Sequence, residues 1–189
     1  MTQIQFQSKK GKRMSHPIDY YAIEEHARII EQLCCSSEFY LQRIYSTQKV
    51  YDDSIVTEFE MEELSYNGWL EYTISNNLIS LCTKLRILQD TSEHEWNPDY
   101  SPEKEAFEEH ENILFVIDGH VKDSIRECCN KIIHALSFEL TKKTGKNGIK
   151  YWDGSIIASG VQNKKKWKIK IDLFPFCQSI KSYLSLLRA

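Results

Sequence analysis

Apolar residues recur every three or four positions through most of the chain, which predicts long amphipathic helices. One series predicts a helix over residues 19–49, and another predicts a helix over 70–88. The stretch 56–66 fits either a separate helix or an irregular lead-in, because Asn67-Gly68 interrupts the pattern.

Two more helices are predicted in the middle of the chain. After a loop over 91–100, Ser101-Pro102 forms a helix start, with Ser as N-cap and Pro at the first helical position. Gly119 is expected to end this helix, and a further helix is expected over about 120–140.

The period changes near the C-terminus. Apolar and polar residues alternate over 166–173, which predicts a half-exposed strand, and 155–162 is its expected partner. A turn at Asp153-Gly154 could add a third short strand, and Phe176, Ile180 and Leu187 predict a closing helix. The predicted fold is therefore mainly α, a helical bundle with a β-hairpin at about 149–174 inserted before the last helix.

Composition places the chain among ordinary globular proteins. Of its 189 residues, 41% are hydrophobic and 27% are charged, which suits one domain over 18–189 after a flexible basic tail over 1–17. The sequence contains neither a secretory segment nor an apolar run long enough for a bilayer. Six cysteines lack the spacing of a zinc site or a disulfide framework, so buried free thiols and a cytoplasmic location are expected.

Lysines are concentrated in the predicted hairpin. Nine of them lie within 141–170, against Asp153 alone. They could contact RNA phosphates, or they could simply form a solvated strand face. Trp167 shares the apolar face and is therefore expected in the core more than as a stacking platform for bases. The candidate RNA-binding residues are Lys164, Lys165, Lys166, Lys168 and Lys170.

The helix predicted over 120–140 has two distinct stripes. Arg126, Asn130 and His134 step by four residues and drift by about 80° along roughly 12 Å of helix. Histidine can move a proton near neutral pH, and arginine can bind phosphate oxygens. The same trio also fits an ordinary solvent-facing side. The opposite, core-facing stripe is expected to consist of Val121, Ile125, Cys129, Ile132 and Leu136.

The stretch from Arg126 to His134, with Asn130-Lys131-Ile132-Ile133-His134 inside it, resembles the active helix of HEPN-domain proteins. That family comprises helical-bundle ribonucleases and RNA-binding modules of toxin–antitoxin, abortive-infection and CRISPR systems. The resemblance implies a homodimer and metal-independent RNA cleavage, without a cofactor. In that role His134 would move the proton, Arg126 would stabilise the phosphorane charge and Asn130 would position one of them.

The motif also departs from the family pattern. Seven residues separate Arg126 from His134, where the family usually has four to six, and an alignment on Asn130 places Cys129 at the arginine position. Two functions therefore stay open: an endoribonuclease of bacterial defence or toxin–antitoxin systems, and a non-catalytic dimeric interaction or RNA-binding module of the same fold. The sequence does not indicate a metal site or a protein partner.

Overall fold

The computed structural model describes residues 19–47, 58–91, 100–145 and 148–188. Helices make up 61% of them. The predicted basic tail over 1–17 and most of the predicted loop over 91–100 lie outside the described residues. The elements, in chain order, are α1 (Tyr20–Thr47), α2 (Glu58–Thr91), α3 (Pro102–Glu108), β1 (Leu114–Asp118), α4 (Ile125–Ile133), β2 (Ser137–Thr144), β3 (Lys150–Gln162), β4 (Lys165–Asp172) and α5 (Leu173–Leu186).

The two long helices that the sequence predicts are present as α1 and α2, and they pack against each other. Their buried stripes follow the helical period, with Ile23, Ala27 and Ile30 on α1 and Leu70 and Ile74 on α2. From Glu58 onward the stretch before Gly68 belongs to α2, so the structure favours continuous helix over an irregular lead-in. Helix α5 closes the core against α1, where Lys181 Nζ lies 2.7 Å from Glu31 Oε1.

The strands form one antiparallel sheet in the order β1-β4-β3-β2. The predicted hairpin is confirmed as β3 and β4, joined by Asn163-Lys164. Both turn residues have positive φ, 50° and 63°, which gives the tight two-residue connection that suits the twist of a hairpin. Asp172 ends β4 and caps α5, because its carboxylate accepts a hydrogen bond from the Phe174 amide.

The prediction that a helix runs from Ser101 to Gly119 was wrong beyond its first turns. Ser101 does cap α3, but this helix ends at Glu108, and the chain turns at Asn112, which has a φ of 60°. The following apolar run pairs with β4 as strand β1. This run of β-branched, aromatic and leucine residues gains ladder hydrogen bonds there, and Ile113 and Leu114 pack against the core.

The helix predicted over 120–140 was also too long. Helix α4 spans only Ile125–Ile133, and the chain then enters β2, with the Leu136 amide donating to the Ser159 carbonyl at 2.8 Å. The apolar residues there recur at a helical period, but the hydrogen bonds gained by pairing with β3 stabilise a strand instead. As a result Leu136, which was predicted in the core, is 79% exposed. The other four members of that predicted stripe are buried.

Asp153-Gly154 does not form a separate turn and strand. Both residues lie inside β3, where the register against β2 shifts between Leu140 and Lys142. Gly154 has a φ of 86°, the left-handed conformation that favours glycine, and therefore accommodates the bulge.

All the helices that touch the sheet pack on one side of it, which gives two layers. Most of the large apolar side chains that point to this side are buried, including Trp152, Ile156, Trp167, Ile169 and Ile171. Trp167 is therefore part of the core, as the sequence pattern indicated. Successive strand residues alternate between the two sides of the sheet, so the intervening side chains point to the opposite side, away from the helices.

Trp167 fits beside Gly160, its directly opposite residue on β3. A Cβ atom at position 160 would lie 2.5 Å from Cζ2 of the indole ring, so no side chain can be accommodated there without movement of Trp167. The buried Lys131 of α4 approaches the same ring, with Nζ 4.9 Å from its centroid. Nζ also binds Gln162 Oε1 at 2.5 Å and Glu127 Oε1 at 3.1 Å, which fixes α4 on the hairpin.

We expect Gly160→Ala to lower the free energy of unfolding by about 1–3 kcal/mol, because the new methyl group overlaps the Trp167 ring. Chemical denaturation followed by tryptophan fluorescence measures this change. Gly145→Ala is the matched control, since its Cβ would lie at least 3.4 Å from any other group. Equal stability of the two variants would contradict the packing described for Trp167.

Candidate functional site

Arg126 lies at the start of α4, where its side chain and its backbone amide each bind a carboxylate. Its guanidinium Nη2 lies 2.5 Å from Asp90 Oδ1, and its backbone amide donates to Glu103 Oε1 at 2.6 Å. Arg86 also binds Asp90, at 3.0 Å. Partial desolvation raises the pKa of Asp90, but the hydrogen bond from Arg126 and the two guanidinium charges outweigh it and leave the pKa below its ordinary value. Much of the positive charge of Arg126 is therefore already compensated.

Asn130 and His134 lie farther along α4 and do not meet Arg126. Asn130 Nδ2 donates to Glu127 Oε2 at 3.3 Å within the helix. His134 is the C-cap of α4, with φ −104° and ψ 15°, and its side chain is exposed. The structure thus places Arg126 and His134 at opposite ends of the helix, and within the described ranges no hydrogen bond connects any two of the three side chains.

The C-terminal end of α4 instead lies beside the tip of the hairpin. Lys131 binds Gln162, the last residue of β3, and Leu136 hydrogen-bonds with Ser159. His134 lies between these two connections in the chain. The α4 helix thus contacts the hairpin through Lys131, near its C-terminal end, whereas Arg126 lies at the other end of the helix.

The hairpin lysines differ in how they are compensated. Lys164, Lys165, Lys166 and Lys168 are exposed, and none of them forms an ion pair with another described residue. Lys170 is half-buried, and its Nζ lies 3.7 Å from Asp153 Oδ2. The uncompensated positive charge is thus concentrated toward the tip of the hairpin.

The side of the sheet that faces away from the helices, hereafter the open face, carries a row of lysines on β4. Lys166, Lys168 and Lys170 alternate with the buried residues of that strand, at intervals of roughly 6.7 Å. β4 is a central strand, so this row runs through the middle of the open face. The carboxylates of the open face at the sheet edges are Glu139 on β2 and Asp118 on β1.

Phe115 contributes an aromatic ring to the open face. It lies directly opposite Lys170 in the β1–β4 ladder, and directly opposite residues share a face. Its side chain is 45% exposed. The sequence interpretation missed this residue because it placed 103–118 in a helix. The run Ile113–Ile117 between Asn112 and Gly119, with turn residues at both ends, was the signal for a strand.

Asp153 binds several neighbouring groups at the end of the open face that lies away from the hairpin turn. Its carboxylate accepts hydrogen bonds from the Thr141 hydroxyl and, at 3.0 Å, from the Ser155 amide. Lys143 and Lys170 lie within 3.8 Å of it. Its side chain is only 5% exposed, and this desolvation raises its pKa, but the hydrogen bonds and the two lysines together hold the pKa below its ordinary value of 3.8.

The described residues provide no other obvious reaction centre. They contain no group of three or more His, Cys, Asp or Glu side chains arranged to hold a metal ion. The six cysteines are free thiols. Four are buried and Cys34 is half-buried, whereas Cys35 is exposed, against the expectation that all would be buried. None of the described helices has the length and apolar character needed to span a membrane.

The chain matches no protein-family model, and no curated protein or solved structure is detectably similar to it. The geometry of the described residues is therefore the basis for any functional proposal.

We expect Asp153→Asn to remove an acid-sensitive contribution to stability of about 1–3 kcal/mol. The folded-state pKa of Asp153 lies below the unfolded value, so its contribution is fully present above about pH 4 and is lost as the pH falls through the folded pKa. The measurement is the free energy of unfolding over a pH series for both proteins. The difference between them should shrink at acidic pH, and a difference independent of pH would contradict the role assigned to the Asp153 carboxylate.

Proposed function

We propose that the protein is an RNA-binding module that holds a single-stranded RNA along the open face of the sheet. The observation that carries this proposal is the lysine row on the central strand β4, with exposed, uncompensated charges at Lys166 and Lys168. Lysines beside a strand contact successive phosphates, and affinity from such contacts depends on salt. Further positive charge lies at the hairpin tip, where Lys164 and Lys165 are also exposed.

Phe115 supports a single strand over a duplex as the ligand. Single-stranded nucleic acids expose their bases, which stack on aromatic side chains next to a basic groove. Phe115 provides such a ring on the strand next to the lysine row. The edge carboxylates Glu139 and Asp118 would repel phosphates and so confine the strand to the centre of the open face.

Binding is favoured over cleavage because the arginine of the family-like motif is engaged elsewhere. Arg126 is paired with Asp90, away from the hairpin tip and from His134. In this proposal Arg126 and Asn130 have structural roles. The resemblance to HEPN-domain proteins, the homodimer that it implies and a role in bacterial defence or toxin–antitoxin systems stay predictions.

Replacing Lys166 and Lys168 with Gln is expected to weaken the binding of a labelled single-stranded RNA. The slope of log K against log salt is negative and should become less steep by about 1.4, since each of the two lost phosphate contacts to a single strand contributes about 0.7. Fluorescence anisotropy over a salt series measures both quantities. Phe115→Leu, in the same assay, should lower affinity by about 1–3 kcal/mol per stacked base without a change of slope.

The matched control is the double variant Lys104→Gln and Lys150→Gln, which changes the net charge equally. Lys104 lies on α3, and Lys150 lines a pocket beside Glu71 on the helix side of the sheet. An equal loss of affinity in the two double variants would indicate non-specific attraction and would contradict a site on the open face. Tighter binding of duplex RNA than of single strands would contradict the role of Phe115.

A second function, RNA cleavage, is kept because His134 is exposed at the C-terminal end of α4 and is the titratable residue of the family-like motif. If His134 transfers a proton, purified protein should cleave labelled RNAs with EDTA present, and His134→Ala should abolish this activity. Circular dichroism checks that the variant keeps its fold. Binding without cleavage by the wild-type protein, across structured and single-stranded RNAs, would leave the RNA-binding module alone.

A further inference from the structure

A β-bulge at the end of β1 determines which side chain joins Phe115 on the open face. In the β1–β4 ladder Phe115 lies opposite Lys170. Asp118 lies opposite Lys168, only two residues away on β4, so β1 contains one extra residue here, Ile117. With regular pairing Ile117 would lie opposite Lys168, and Asp118 would point toward the helices. The bulge therefore places an aspartate, instead of an isoleucine, on the same side of the sheet as Phe115.

The Asp118 carboxylate has a fixed position and is available to a ligand. The next residue, Gly119, has a φ of 82°, and a Cβ atom there would lie 2.7 Å from the Lys166 carbonyl oxygen. The chain thus lies directly against β4 just after Asp118, which holds the backbone of this residue in place. The Asp118 side chain is exposed, and it forms no ion pair with any other residue that the structure describes.

Phe115 and Asp118 are spaced so that both can contact one nucleobase. Their partners on β4 are two residues apart, so the two side chains leave the sheet roughly 6.7 Å from each other. A purine that stacks on the Phe115 ring extends beyond that ring. Its Watson–Crick edge can therefore reach the Asp118 carboxylate, as is common where proteins bind unstacked bases.

The strand on the other side of the lysine row has no comparable pair of groups. Opposite the three lysines of the row, β3 presents Ile157, Ser159 and Val161. None of these side chains has an aromatic ring or a charge. Phosphates bound along β4 would therefore leave the bases directed toward β1, where an aromatic ring and a carboxylate lie together on the open face.

The chemistry of a carboxylate determines which base fits beside Phe115. An ionised carboxylate only accepts hydrogen bonds, through two adjacent oxygen atoms. Guanine is the one standard RNA base whose Watson–Crick edge carries two adjacent donors, the N1–H and the 2-amino group. Adenine and cytosine place a ring-nitrogen acceptor beside their amino group, and uracil places a carbonyl oxygen on each side of its N–H. A bidentate, charge-assisted pair is thus open to guanine alone.

We propose that Asp118 binds the Watson–Crick edge of a guanine stacked on Phe115, so that the open face selects single-stranded RNA containing an unpaired guanine. This inference rests on the proposed RNA binding and adds the identity of one base to it. Glu139, on the edge strand β2, lies three strands and roughly 14 Å away from Phe115. It is too distant to contact the same base.

The test is the affinity of short uridine oligomers with one central purine, measured by fluorescence anisotropy at fixed salt. The purines are guanine, hypoxanthine, 2-aminopurine and adenine, which all stack, so differences among them report hydrogen bonds at their edges. Hypoxanthine lacks the 2-amino group, and 2-aminopurine and adenine lack the N1–H. Each of these three bases offers one donor and should bind at least about fivefold more weakly than guanine.

Asp118→Asn should reduce the preference for guanine over adenine to less than about twofold, because the amide replaces one acceptor with a donor. Its affinity for the adenine oligomer should not fall, since this variant keeps Phe115 and the lysine row. Glu139→Gln is the matched control. It changes the net charge equally at the other edge of the open face and should keep the full preference for guanine.

Equal affinity of the wild-type protein for the four oligomers would overturn this inference and leave the proposed RNA binding standing. A guanine preference that survives in Asp118→Asn, or that is lost equally in Glu139→Gln, would overturn it as well. A wild-type protein that binds none of the oligomers would overturn the proposed RNA binding together with the base preference.

Discussion

The contact of Trp167 with Gly160 and Lys131 joins the sheet to the helical layer. The missing side chain at Gly160 lets the indole lie against β3, and the buried ammonium of Lys131 lies over the ring. A buried charge is tolerated only when it is paired, and Glu127 and Gln162 provide that pairing. The same contact fixes the end of α4 beside the hairpin tip.

This arrangement directs functional side chains to different surfaces. Because Trp167, Ile169 and Ile171 face the helices, the intervening lysines of β4 must face solvent. Burial of one face of β4 is therefore sufficient to place these lysines in a row on the other face. The position of Arg126 has an equally simple cause: α4 is short, so its first turn remains beside Asp90 and Glu103 while its last turn reaches the hairpin.

Local patterns predicted the parts of the fold that depend on local interactions. The α1 and α2 stripes and the alternation in β4 were visible in the sequence, because each reflects burial of one face. The Ser101 cap was visible because its hydrogen bond to the Lys104 amide is local. Strands β1 and β2 were not, since their stability comes from pairing with distant β4 and β3. Ile132 to Leu140 fits a helical period and a strand, and only the partner decides between them.

The candidate site was predicted in part for the same reason. The lysines could be assigned to one strand face by their spacing, whereas Phe115 joins them only through the long-range β1–β4 ladder. Arg126 and Asn130 both lie within α4, and the His134 amide still donates to the Asn130 carbonyl, as the helical spacing predicted. The pairing of Arg126 with Asp90 depends on the distant helix α2 and could not be read from α4 alone.

The long separation between β1 and β4 also matters during synthesis. Leu114–Asp118 leaves the ribosome before α4, β2, β3 and β4. Its hydrogen-bonding groups and apolar side chains therefore stay unpaired until β4 has been synthesised. An unpaired apolar strand is a site of aggregation. The run that precedes it carries Glu103, Glu105, Glu108, Glu109 and Glu111. Like charges next to such a strand disfavour intermolecular stacking, so we expect these glutamates to lower the aggregation tendency of β1 until β4 has been synthesised.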